Sequence, residues 1–270
     1  MNRVKLIAVI FSSVIITVAG IHCGANIFSD DQDIKLGQQL DEEIRKNSKE
    51  YRIMQGHPEI KEYVMAVGNK VLASPAITKR GIYAYKYEII HNDTVINAFC
   101  TPGGYIYVYT GLLKFIDDEA TLAGVMGHEI AHAEQRHASK RMTKAYGAQI
   151  VLSLGLGDNP SQTAEIGANL FAGLGLLANS RSDENEADEF SMRYLSSTPY
   201  YPGGITNFFE KMKDKKGGGG GAFERLLSTH PLDQDRIDHV NLLLKRMGGP
   251  KATETNLLKQ KYQAFKKKLP

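Results

Sequence analysis

The stretch GHEIAHAEQRH, residues 127–137, sets two histidines four positions apart, with a glutamate directly after the first. On an α-helix, residues i and i+4 share one face a turn apart, so His128 and His132 can aim two imidazole nitrogens at one ion. Glu129 can lean over the same site and accept a proton from water held there. Zinc suits such a pair, because with a coordination position left open it lowers the pKa of water to about 7. Three fixed positions also recur by chance, and an ordinary amphipathic helix can spell them. The remainder of the chain must supply the missing parts.

Catalytic zinc sites generally take three ligands from the protein. The extended pattern that finds the third on the same segment needs glycine at 135 and histidine at 138, where this chain has Gln135 and Ala138. His137 lies five residues past His132, roughly 140° round a continuous helix, which places it in solvent or behind a ligand. The other source is DENEADEF, residues 183–190, on a later helix. Glu184 and Asp188 are i and i+4 there, so one can bind the ion while the other accepts the free N–H of a ligating histidine. Glu184 is the stronger candidate ligand. Glu186 would point nearly to the opposite side, and Ala187 would let two helices approach closely. Taken without the upstream motif, the same segment is a charged, solvent-facing helix.

Outside these motifs the chain is mainly helical. DDQDIKLGQQLDEEIRK opens with acids that favour a helix N-terminus and spaces Ile34, Leu36, Leu40 and Ile44 along one face. EIKEYVMAVGNKVLA repeats the pattern after His57-Pro58. From Tyr83 to Thr110 the period changes: YAYKYEII and YIYVYTGL alternate and are rich in Tyr, Ile and Val, the mark of two or three short antiparallel strands with one half-buried tyrosine face. DDEATLAGVMGHEIAHAEQRHASKRM then runs as one long helix. The Gly- and Ala-rich residues 147–180 are split by Asp158-Asn159-Pro160 into runs too short to span a bilayer and suggest a core hairpin, with a lipid-facing surface as the lesser alternative. The Gly-rich loop at 213–222 is expected to be mobile. NLLKQKYQAFKKKLP suggests a last surface helix, and no 34-residue helical repeat is visible.

Composition excludes little but is consistent. A net charge of +3 and a pI near 8.6 are too mild to argue for nucleic acid, and no spaced basic and aromatic face suggests base stacking. MNRVK, then the apolar run LIAVIFSSVIITVAG, then small residues, is the order of a secretory signal. An uncleaved anchor, or acylation of Cys23, is the alternative. Cys23 and Cys100 are the two cysteines, so no disulfide framework supports the fold. The expected organisation is a signal peptide or anchor over 1–25, a peptidase domain over 26–245 and a C-terminal tail over 246–270.

Taken together, GHEIAHAEQRH, the E-x-x-x-D of DENEADEF, THPLDQDRI at 229–237 and NAFCTPGGYIYVYTGLL before the zinc helix resemble the zinc metallopeptidase family that includes HtpX-type proteases and CAAX prenyl proteases. The likeness covers roughly residues 30–245. It implies an α+β, mainly helical, zincin-like fold of the gluzincin type, with a small antiparallel sheet beside the zinc-binding helix. It further implies one Zn2+ per chain on His128, His132 and Glu184, Glu129 as general base, and Asp188 supporting the site. His230 would lie near the metal, either polarising the substrate carbonyl or filling the open position; a histidine before proline is otherwise simply a helix-entry residue. Arg236 would orient a carboxylate or the substrate backbone. The implied substrates are polypeptides, lying extended along the strand after Pro102, in a bacterial envelope and in some members against a membrane surface. The rivals are an aminopeptidase and a chaperone-like protein whose metal is structural or blocked by His230.

Overall fold

The computed structural model describes residues 26, 28–146, 178–215 and 220–270. The expected signal segment, most of the expected Gly- and Ala-rich hairpin and the centre of the Gly-rich loop lie outside these residues. Helix α1 (Asp30–Lys46) starts from a capping box in which the Ser29 side chain accepts from Gln32 N. Helix α2 (Pro58–Leu72) follows with proline at its first turn. Strands β1 (Lys86–Ile90), β2 (Ala98–Thr101) and β3 (Tyr105–Tyr109) come next, then α3 (Thr110–Phe115) and α4 (Glu119–Glu134), the helix that carries the His-Glu-x-x-His pattern. Beyond it lie α5 (His137–Tyr146), α6 (Arg181–Leu195), α7 (Gly204–Lys215), α8 (Glu224–Thr229), α9 (Gln234–Arg246), α10 (Glu254–Leu257) and α11 (Lys259–Lys266). The expected mainly helical α+β class is the one found.

The sheet differs from expectation in two ways. Its order is β1-β3-β2, with β1 parallel to β3 and β2 antiparallel to it, so the sheet is mixed and not wholly antiparallel. Strand β3, the one after Pro102, is therefore central and has both its edges taken, which leaves β2 as the outer strand beside the zinc-motif helix. Nor is the tyrosine ladder half-buried. Ile106 and Val108 face the main core, while Tyr105, Tyr107 and Tyr109 pack with Ile44 and Tyr51 on the other side. The period of two is kept, but both faces are covered, and two of the buried phenols find acceptors in helices: Tyr107 donates to Asp41 of α1 at 2.6 Å, and Tyr85 to Glu134 of α4 at 2.7 Å.

Every residue of α4 is buried, which makes it the axis of the molecule. It packs on α2, α6, α7 and β2, and small residues set how closely those neighbours come. A Cβ added to Gly124 would sit 2.4 Å from the backbone nitrogen of Ile205 on α7. The polar groups on so buried a helix must be paired or cost several kcal/mol. Glu119 receives hydrogen bonds from Tyr63 and Tyr200 and ion pairs from Lys70 and Lys261. Glu134 accepts from the backbone nitrogens of Thr78 and Lys79.

The C-terminal residues are not a detached tail. Tyr262 is 0% and Phe265 4% exposed within the main core, and the Tyr262 hydroxyl donates to the Leu113 carbonyl at 2.7 Å. Their spacing of three residues puts both rings on the inner face of α11, flanked by Lys261 on Glu119 and Lys266 on the Ile116 carbonyl. Tyr262→Ala should therefore lower the unfolding free energy by about 3–5 kcal/mol, the cost of emptying a large aromatic site. Urea midpoints of the parent and variant check this, whereas Lys267→Ala, on the solvated side, should stay within about 0.5 kcal/mol.

Candidate metal centre

Four buried side chains converge where α4, α6 and the end of α8 meet. One ligand atom from each of His128, His132, Glu184 and His230 lies within 4.8 Å of the others. His128 Nε2 is 2.9 Å from His132 Nε2 and 3.4 Å from His230 Nδ1; Glu184 Oε1 is 3.2 Å from His132 Nε2 and 2.9 Å from His230 Nδ1. Tetrahedral zinc with bonds of about 2.0–2.1 Å separates its ligands by about 3.3 Å. The set of three imidazoles and one carboxylate thus fits zinc in chemistry and in spacing.

The far side of each helix histidine is also held. His128 Nδ1 stands 2.8 Å from Asp188 Oδ1, and Asp188 is gripped by Arg236 at 2.6 Å and 2.9 Å. Arg236 also reaches Glu184 Oε2 at 2.5 Å. With its Nδ1–H donated to Asp188, His128 presents a bare Nε2 to the centre. Arg236 thus orients a carboxylate, one of the two roles expected of it.

His132 is held by a residue that helical spacing misplaces. The expected single long helix breaks at Arg136, which adopts φ 59°, and α5 starts at the next residue. The turn swings His137 back until its Nδ1 is 2.7 Å from His132 Nδ1, with its Nε2 2.9 Å from Glu186 Oε2. His137 is 0% exposed, so of its two expected places the one in solvent is excluded, and Glu186 does not point away. Burial lowers the His137 pKa although Glu186 pulls the other way, so the ring is neutral near pH 7. With its proton on Nε2 toward Glu186, it accepts from His132 Nδ1–H and frees His132 Nε2 for a metal. The left-handed turn is paid for by Arg136 itself, whose guanidinium donates to buried Asp33 of α1 at 2.6 Å and to the Phe28 carbonyl.

Electrostatics sharpen the picture. Burial would lower the His128 pKa, but the carboxylates of Glu184 and Asp188 outweigh it and lift it to about 9. His132 is driven well down, first by burial and then by the charge on His128. Burial would raise Glu184, yet His230 and Arg236 hold it well below the usual carboxylate range. Glu129 is 2% exposed, its Oε1 is 3.8 Å from His230 Nε2, and its Oε2 has no hydrogen-bond partner. It is the only side chain of α4 left with such an atom, which marks it as waiting for a proton donor.

A cleft of about 130 Å³ opens on Glu129 and His132, walled by Asn97–Thr101 of the outer strand on one side and by Asn179, Thr229 and His230 on the other. Asn179 and Arg141 line it too, and motif reasoning missed both. Asn179 donates to Glu184 Oε1 at 2.6 Å, and its place just before the Ser180 cap of α6 was the only sequence cue. Cys100 also faces the cleft. Burial, and then the Glu129 carboxylate, push its pKa well up, so it remains a thiol.

A His-Glu-x-x-His pair on one helix, completed by a glutamate from a second, defines the core of a metallopeptidase. Residues 58–243, more than half of the chain, match Peptidase family M48, and the chain belongs to that family. It is 26% identical over 227 residues to the beta-barrel assembly-enhancing protease of Yersinia pestis, covering 81% of this chain and 45% of that protein. The protein of the same name from Escherichia coli (strain K12) is 30% identical over 189 residues, 67% of this chain and 38% of the relative. The mitochondrial metalloendopeptidase OMA1 of Arabidopsis thaliana is 36% identical over 149 residues, 55% and 29% respectively. The chain spans less than half the length of each of these relatives.

Two outcomes follow for metal binding. His137→Ala should weaken zinc affinity by about 10- to 100-fold, as loss of a residue that orients a ligand does, and competition with a chromophoric chelator measures it. Zinc must also displace the proton that His128 carries below its raised pKa of about 9. Apparent affinity should therefore rise about tenfold per pH unit from pH 7 toward 9 and then level off; a flat profile over that window would contradict the assignment.

Proposed function

We propose that the protein is a zinc-dependent endopeptidase, with His128, His132 and Glu184 as metal ligands and Glu129 as the general base. The observation that carries this reading is the unpartnered, buried Glu129 carboxylate oxygen beside the ligand cluster, at the mouth of a cleft edged by a strand. Zinc, when bound, supplies Lewis acidity toward a carbonyl oxygen and toward water. Glu129 takes a proton from the attacking water and hands it to the leaving nitrogen. Asp188 and His137 keep His128 and His132 in the tautomers that ligate. The substrate backbone runs along β2, not along the strand after Pro102, because β3 is paired on both sides whereas β2 is the edge strand that lines the cleft, where main-chain hydrogen bonds can form.

Relatives named for beta-barrel assembly, together with the signal-like first 25 residues, support a place in the bacterial envelope and misassembled envelope polypeptides as substrates. No helix among the described residues is long and apolar enough to cross a membrane.

A second reading is favoured by His230. It stands in the fourth position about the cluster, and closed four-ligand sets are typical of structural zinc. In this reading the described state is latent, and His230 must leave before water can enter.

Casein cleavage by the zinc-loaded chain tests both readings. Glu129→Gln should retain one zinc and lose about 100-fold or more in rate. If the parent is silent and His230→Ala releases activity, latency is the resting state. If zinc binds and neither protein cleaves, the peptidase reading fails.

A further inference from the structure

The interior arginines of this protein are nearly all neutralised. Arg136 lies on Asp33, Arg236 on Asp188 and Glu184, and Arg225 on Glu50. Arg141 is the exception. It projects from α5 into the cleft beside Glu129 and His132. Among the described residues its one hydrogen bond is from Nη1 to the Asn179 side-chain oxygen, and its buried Nε has no acceptor. A guanidinium withdrawn from water without an ion-pair contact is costly, and burial pulls this one below the usual arginine range against the longer-range pull of the Asp183, Glu184 and Glu129 carboxylates. Since Nη1 is occupied, the free edge is that formed by Nε and Nη2, and such an edge matches both oxygens of a carboxylate.

Glu184 cannot serve, because it is already claimed by Arg236 and His230. With no carboxylate of the described residues in ion-pair contact, this edge is open to an anion carried by the ligand. The apolar wall opposite, with Ile44 and Phe99, suits a peptide carrying that charge at one point, not a highly charged polyanion.

We propose that Arg141 is a specificity-determining residue that seats a carboxylate of the substrate chain, so that the site selects peptides with an acidic side chain or a free C-terminus beside the scissile bond. This rests on the peptidase reading and names its substrate class. Asn179 sets the reach: it ties the Arg141 guanidinium and Glu184 together, fixing the seat relative to the metal ligands.

The test is binding, so that turnover is not needed. Four fluorescein-labelled, alanine-rich decapeptides carry a central Glu or Gln and a free or amidated C-terminus. Anisotropy gives their affinities for the zinc-loaded full chain as Glu129→Gln, and as Glu129→Gln with His230→Ala so that a closed site does not hide the seat. A carboxylate-bearing peptide should bind roughly 10- to 100-fold more tightly than the neutral amidated Gln peptide. Arg141→Gln should erase that preference while leaving neutral-peptide binding within about twofold, and Arg141→Lys should restore part of it. Preference for central Glu marks a side-chain seat, and preference for the free terminus marks an end-recognising one. Equal affinities for all four peptides in both backgrounds, no binding of any, or equal losses for charged and neutral peptides on Arg141→Gln would overturn the proposal. Casein cleavage is scored separately: no cleavage with intact discrimination removes the peptidase reading and leaves the carboxylate seat.

Discussion

The grip of Arg236 on Asp188 is the contact on which the rest of this site depends. Two carboxylates, Glu184 and Asp188, are each 0% exposed on one face of α6, and neither could stay ionised there unaided. Arg236 reaches both from α9, so one cation lets two anions lie in the interior. Buried pairs of this kind add little net stability, because desolvation offsets most of the attraction. They do fix geometry. Asp188 is held so that it can hold His128, and Glu184 is held so that an oxygen faces the histidines. The THPLDQDRI segment thus serves the candidate centre twice, through Arg236 behind Glu184 and Asp188 and through His230 within the cluster.

A second constraint acts from the opposite side. The left-handed residue at Arg136 is a local cost, met by an ion pair to α1 that lies far away in sequence. Through it the chain turns sharply after α4 and brings His137 and Glu186 behind His132. Each helix histidine is therefore backed by a carboxylate, directly for His128 and through a second imidazole for His132. The two backing carboxylates, Asp188 and Glu186, lie two residues apart on α6, roughly 200° round its axis.

The position of α4 explains why so much chemistry fits in so small a space. A helix buried all round can offer its polar groups to water only where a cavity reaches it, and the cleft bounded by the outer strand and the segments around Asn179 and His230 reaches Glu129 and His132. Glycine and alanine let α6 and α7 come close, so His128 and His132 of α4 meet Glu184 of α6 in one cluster. Membership of Peptidase family M48 places this arrangement among metallopeptidases.

What the sequence determined by itself was everything carried by a helical period. His128 with His132, and Glu184 with Asp188, are pairs four residues apart, and a single helical turn puts each pair on one face wherever the helix lies. The amphipathic faces of α1 and α2 and the alternation in β3 were legible for the same local reason. Tertiary structure alone decided how those faces meet. It made the sheet mixed, covered both sides of the tyrosine ladder and docked Tyr262 and Phe265 in the core. It also turned His137 toward His132 and left Arg141 without an ion-pair contact among the described residues. Each of these outcomes depends on a partner tens of residues away, such as Asp33 for Arg136 or Leu113 for Tyr262. Periodicity reports the direction of a side chain from its own axis, and it carries no information about which neighbour occupies that direction.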